Sequence, residues 1–175
     1  DEAAAWESEP PFPPGAPLHD IPRRPPSAGW QGMERGLESL QVPGTWSLSR
    51  PGYHGVAWQW RPLFIPEDWQ GRVVRLCFEA VRLRAEVFLD EELVGYDLEG
   101  YTPFEVDLTE KIRPGRQQEL ALRITNPGGS ISWRDQLPIH WAGRQLPPSH
   151  DVGGIWGDVS LIATAPVYIE SVHAM

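Results

Sequence analysis

From Trp58 onward the sequence alternates apolar and polar residues with a period of two, in runs of five to eight residues. Successive side chains on a strand point to opposite faces. This pattern therefore builds strands with one face on a core, and not helices, whose period is 3.6 residues. The runs cover 58–65, 72–79, 84–89, 93–97, 104–108, 119–125, 159–164 and 167–172. Turn-forming groups separate them: Pro66-Glu67-Asp68, Asp90-Glu91-Glu92, Arg113-Pro114-Gly115, Asn126-Pro127-Gly128-Gly129 and Ala165-Pro166. Only residues 33–40 suggest a helix, and a short one. Short strands at intervals of about 8–12 residues, with no helices between them, predict an all-β chain folded as an antiparallel β-sandwich or barrel.

Proline and glycine reinforce that reading. There are 19 Pro and 17 Gly in 175 residues, well above their usual combined share of about 12 %. Pro10, Pro11, Pro13, Pro14, Pro17, Pro22, Pro25 and Pro26 crowd the first 27 residues. Each fixes φ and removes a backbone donor, which excludes a helix or central strand there. Residues 1–41 are thus expected to form an extended arm and residues 42–175 the sandwich. Two readings of the arm stay open: a polyproline-like strap pinned by Trp6 and Phe12, or a disordered leader.

Composition also excludes function classes. Fifteen Lys plus Arg against 24 Asp plus Glu leave a net charge of −9, and such a surface repels phosphate backbones, so nucleic acid is not expected as a partner. No apolar run approaches the roughly 20 residues of a membrane-spanning helix, so no membrane is expected either. The single cysteine, Cys77, excludes an intrachain disulfide and a cysteine zinc cluster; lying within an apolar run, it reads as a buried structural thiol. His19, His54, His140, His150 and His173 show neither metal-ligand nor triad spacing. The chain is too short for a catalytic barrel, which needs about 200 to 250 residues.

Several segments, in order, carry a resemblance. They are Val42-Pro43-Gly44-Thr45-Trp46, then Tyr53-His54-Gly55-Val56-Ala57-Trp58-Gln59-Trp60-Arg61, then Trp69-Gln70-Gly71-Arg72-Val73. After them come Ala85-Glu86-Val87-Phe88-Leu89 with Val94-Gly95, Gly100-Tyr101-Thr102-Pro103-Phe104-Glu105-Val106-Asp107-Leu108-Thr109, and Gly153-Gly154-Ile155-Trp156-Gly157-Asp158-Val159. This ordered set resembles the N-terminal domain of glycoside hydrolase family 2, the β-galactosidases, β-glucuronidases and β-mannosidases. The resemblance implies an antiparallel jelly-roll β-sandwich, similar to galactose-binding domains. It implies carbohydrate and the remaining domains of a larger enzyme as partners, and slightly favours a secreted or periplasmic setting, in line with a chain that starts at Asp1 as a mature or excised end would.

The chain departs from the family at two places. The β-hairpin that usually turns on Asn-Gly has Asp90-Glu91-Glu92, so a different loop geometry is expected. Six positions before Gly154, where several family members carry an acidic residue that reaches the active site, this chain has Pro148, with His150 and Asp151 as the closest polar candidates. The family's catalytic acid/base follows an asparagine on a later barrel domain, yet the only asparagine here is Asn126, followed by Pro127. The chain by itself is therefore expected to be inactive.

The segment between Asn126 and Gly153 holds the main candidates for sugar contact. Trp133 and Trp141 stand among Arg134, Asp135, His140 and Arg144. An indole face offers a rigid apolar surface for the C–H face of a sugar, and flanking polar groups supply hydroxyl partners. The candidate sugar-binding residues are accordingly Trp133, Asp135, Trp141, His150 and Asp151. Packing against the rest of an enzyme explains the two loop tryptophans equally, while Trp46, Trp58, Trp60 and Trp156 read as structural. No cofactor is expected. Asp90-Glu91-Glu92 and Glu67-Asp68 have the hard oxygen donors that a structural calcium would need, although solvated turns account for them more simply. An independent carbohydrate-binding module and a purely structural sandwich are the alternative functions.

Overall fold

The computed structural model describes residues 25–26, 28–33, 38–51, 53, 55–98, 100–126, 140–141, 144–145, 153–169 and 171–172. Period-two patterning becomes β1 (Gly55–Phe64), β2 (Val73–Phe78), β3 (Val81–Arg82), β4 (Arg84–Leu89), β5 (Glu92–Asp97), β6 (Phe104–Asp107) and β7 (Gln117–Asn126). These are followed by β8 (His140–Trp141), β9 (Arg144–Gln145), β10 (Gly154–Ile155) and β11 (Val159–Thr164). Among the described residues there is no α-helix, only 3-10 turns at Trp30–Gly32, Trp46–Leu48 and Glu67–Trp69. The described part of the expected helix, Met33 and residues 38–40, is not helical.

One sheet has the order β1-β7-β4-β5 and the other β11-β2-β6, with small ladders joining β10 to β3 and β8 to β9. Every pair is antiparallel. Leu76, Phe78 and Val106 from the three-stranded sheet meet Val87, Leu89, Leu120, Leu122 and Ile124 from the four-stranded one, and Trp46 closes one end of this core. The architecture is the expected all-β antiparallel sandwich.

The other face of the four-stranded sheet is covered too. Register places Phe88 beside Ala121 and Ala121 beside Trp60, while Arg123 lies beside both Glu86 and Trp58. Phe88, Leu93 and Ala121 form a second apolar cluster with Trp30, Trp58, Trp60 and Tyr96. Trp58 and Trp60 stack at 5.8 Å, and Trp30 sets its ring edge-on against Trp58 at 5.4 Å and Phe88 at 5.3 Å. On the same face the buried Glu86 carboxylate accepts from Arg84 Nη2 at 2.9 Å through one oxygen and from Arg123 Nη1 at 2.8 Å through the other. Charges are tolerated out of water only when paired in this way.

Three expectations change. Residues 167–172 form no strand among those described: Val167 is 90 % exposed, Ile169 80 % and Val172 81 %. Pro166 turns the chain off β11, and Tyr168 lies against the Arg75 guanidinium, 4.6 Å from its ring centroid, instead of joining a ladder. The β4–β5 turn keeps two central residues with positive φ, Asp90 at 47° and Glu91 at 70°. That is the type I′ condition an Asn-Gly pair would satisfy, so its geometry does not differ as the sequence suggested. Cys77, finally, is half-buried on the outer side of β2, its Sγ 3.5 Å from Glu105 Oε1. Burial chiefly, with that carboxylate adding, raises its pKa above the ordinary thiol value.

Candidate functional site

At one end of the sandwich four segments converge: 43–46, 80–83, 100–101 and 153–157. The ladder between β10 and β3 fixes the last of these against the second, and Gly44 N donates to Ile155 O at 2.7 Å while Trp46 N donates to Gly153 O at 2.9 Å. Gly153 is needed for the fit, because a Cβ there would sit 2.1 Å from the Trp46 indole. Beyond β10 the chain turns outward, with the Trp156 and Gly157 amides both donating to the Ala80 carbonyl at 3.1 and 3.2 Å.

That turn presents Trp156, 40 % exposed, beside Tyr101, 45 % exposed. Their rings meet edge-to-face at 5.9 Å and 83°. The Trp156 indole Nε1 donates to the Gly100 carbonyl at 3.3 Å. Gly100 adopts φ 74°, and a Cβ on it would come within 2.8 Å of Leu83 Cδ1, so only glycine lets this carbonyl approach so closely. Behind Tyr101 lies the fully buried Arg82, its guanidinium 4.9 Å from the ring centroid. Burial lowers the pKa of Arg82 and the neighbouring Tyr101 partly offsets this; a guanidinium remains charged over any working pH. The result is a corner of two rings, one tied by its N–H and the other backed by a cation.

The sequence candidates fall differently. Trp133, Asp135, His150 and Asp151 lie outside the described residues, as does Pro148. Trp141 stands in β8, where its backbone pairs with Arg144 of β9. Of the four tryptophans read as structural, Trp46 is buried in the core at 3 % exposure and Trp58 and Trp60 are half-buried in the second cluster. Trp156 departs from that group. The signal that could have found it is Gly157, which follows it in the bend just outside β10.

The acidic turns serve the fold. Asp90 accepts from Gln118 Nε2 at 2.8 Å and from the Glu119 amide at 2.9 Å, and Glu92 pairs with Lys111. Among the described residues no group of three or more His, Cys, Asp or Glu side chains is placed to hold a metal ion.

Comparison with known proteins gives the context of this end. The family described as "Glycosyl hydrolases family 2, sugar binding domain" matches residues 37–165. A beta-glucuronidase of Formosa agariphila is 30 % identical over 117 residues, which cover 67 % of this chain and 12 % of that protein. A beta-galactosidase of Thermoanaerobacter pseudethanolicus is 38 % identical over 68 residues, covering 39 % of this chain and 9 % of that protein. Among solved structures, Ruminococcus gnavus beta-glucuronidase superposes with a TM-score of 0.58 at 21 % identity, over 72 % of this chain and 23 % of that one. The chain thus spans about a tenth of the length of the curated relatives it matches.

Proposed function

Because the chain belongs to the sugar binding domains of family 2 glycosyl hydrolases, we propose that it works as the non-catalytic N-terminal domain of a larger β-glycosidase. Its role is to support the active site of a catalytic barrel built by other residues. The observation that carries this reading is the family match over residues 37–165 by a chain covering only 12 % of a beta-glucuronidase relative. The absence of an Asn-Glu dipeptide agrees with it: Asn126 is the only asparagine and Pro127 follows it. The substrate class that the relatives' names favour is a β-glucuronide or β-galactoside.

The test compares this chain with the longer protein encoded around it, using chromogenic β-glucuronide and β-galactoside substrates. The longer protein is expected to hydrolyse at least one and the chain alone neither. Turnover by the isolated chain, or a longer protein inactive on both of these and on a β-mannoside, would overturn the reading.

A further inference from the structure

We infer that residues 167–172 are a docking strand, which pairs with the folding unit that follows this chain in the longer protein and not with the sandwich. The inference rests on the proposed function for the existence of that longer protein; the segment itself is identified by this chain's own sequence and structure.

Three observations carry it. The first is a conflict between pattern and surroundings. Val167, Tyr168, Ile169 and Val172 make four of these six residues β-branched or aromatic, the composition of a strand, yet the segment joins no ladder among the described residues. Exposure runs 90 % at Val167, 39 % at Tyr168 and 80 % at Ile169, with 81 % at Val172. The alternation over the first three is that of a strand with one face covered and the other open.

The second is concentration. Five of the eleven large apolar or aromatic side chains exposed among the described residues lie within 162–172. The fifth is Ile162 of β11, the cross-strand partner of Arg75, and such partners share a face of the sheet. Tyr168 lies over that same Arg75, 4.6 Å from its ring centroid, and Arg75 is itself paired with Glu105 at 2.9 Å. Tyr168 thus fixes where the segment leaves the sandwich, while Val167 and Ile169 stay in solvent. Exposed apolar residues gathered in this way mark a contact surface.

The third is position along the chain. The match to the sugar binding domain ends at residue 165, one residue after β11 ends at Thr164. Residues 167–172 therefore lie beyond that domain, and this chain covers only 12 % of its beta-glucuronidase relative.

The occupant follows from these observations. A strand with Val and Ile side chains in solvent needs a ladder for its N–H and C=O groups and an apolar layer for its side chains. Residues that continue the same chain meet it at a high effective concentration, because they are covalently attached. A second copy of this chain has no such advantage, and a net charge of −9 opposes its approach.

Hydrogen exchange read by mass spectrometry, comparing residues 167–172 in the 175-residue chain and in the longer protein, tests this. Their amides are expected to exchange about a hundredfold more slowly in the longer protein. The variant carries Val167→Asp and Ile169→Asp together. In the 175-residue chain it should leave the unfolding midpoint unchanged, since both side chains already stand in solvent there. In the longer protein it should reduce the protection of 167–172 about tenfold or more, because two buried apolar side chains are lost. Equal exchange of 167–172 in the two proteins overturns the docking strand. So does a lowered midpoint in the 175-residue chain, which would assign the segment to the sandwich, and so does protection in that chain that rises with its concentration, which would assign the strip to self-association. Exchange and hydrolysis are read separately. A longer protein inactive on the glycosides yet protected at 167–172 overturns only the glycosidase reading, and an active one unprotected there overturns only the docking strand.

Discussion

Glu91 holds a left-handed backbone, φ 70°, that its Cβ disfavours. The cost of that conformation for an L-residue is about 1–2 kcal/mol. Its neighbour Asp90, at φ 47°, is compensated, because its two carboxylate oxygens accept from Glu119 N at 2.9 Å and Gln118 Nε2 at 2.8 Å. No such bond is needed from Glu91, which sits on the outside of the turn. Replacing Glu91 with glycine removes the strain but loosens the unfolded chain, so the expected net gain is about 0.5–1 kcal/mol. Urea unfolding should show a higher midpoint for Glu91→Gly with an unchanged slope; a lower midpoint would mean the turn is not strained. From the sequence the departure from Asn-Gly was visible and its consequence was not, since a hydrogen-bonded partner 28 residues away keeps the turn in its usual form.

Elements here were legible in proportion to their length. The runs 84–89 and 159–164 coincide with β4 and β11, and five others match β1, β2, β5, β6 and β7 within a few residues. The two-residue strands β3, β8, β9 and β10 carry no period to read, because their existence depends on which segments fold brings alongside them. Residues 167–172 show the opposite case: a strand pattern that joins no ladder among the described residues, because the chain bends at Pro166 and Tyr168 packs on the Arg75 guanidinium instead. What joins elements end to end is again a single side chain. Gln118, buried at the start of β7, accepts from the Arg113 amide at 2.6 Å and donates to Asp90 at 2.8 Å and to the Lys111 carbonyl at 3.1 Å. It thereby stitches the β4–β5 turn, the loop before β7 and β7 itself. Gln118→Ala leaves a half-buried amide, a carbonyl and a carboxylate without this partner, and a loss of about 1–2 kcal/mol is expected in chemical denaturation. A change below about 0.5 kcal/mol would mean that water replaces all three bonds.

On the scale of the whole molecule, the sandwich has a third layer over its four-stranded sheet. Trp30 lies on that sheet's outer face, outside the inter-sheet core, and contacts Trp58 and Phe88 edge-on. It belongs to the segment that the sequence assigned to an arm, so the arm is anchored near its end; Trp6 and Phe12, the anchors first expected, lie outside the described residues. Removing a half-buried indole exposes the Trp58, Trp60 and Phe88 cluster, and Trp30→Ala is expected to lower stability by about 1.5–3 kcal/mol. Thermal unfolding followed by circular dichroism would check this, and an unchanged midpoint would show that the layer adds nothing to the fold. Alternation of residue type determined the strands, the two-faced sheets and the all-β class by itself, because strand periodicity is a local property of the chain. Ordered motifs carried the family in the same way. The exposed corner of Trp156 and Tyr101 was decided only by tertiary structure: whether a tryptophan is buried or exposed depends on what stands across from it. Here the residues across from it are Gly100 and Tyr101, 56 and 55 positions away along the chain.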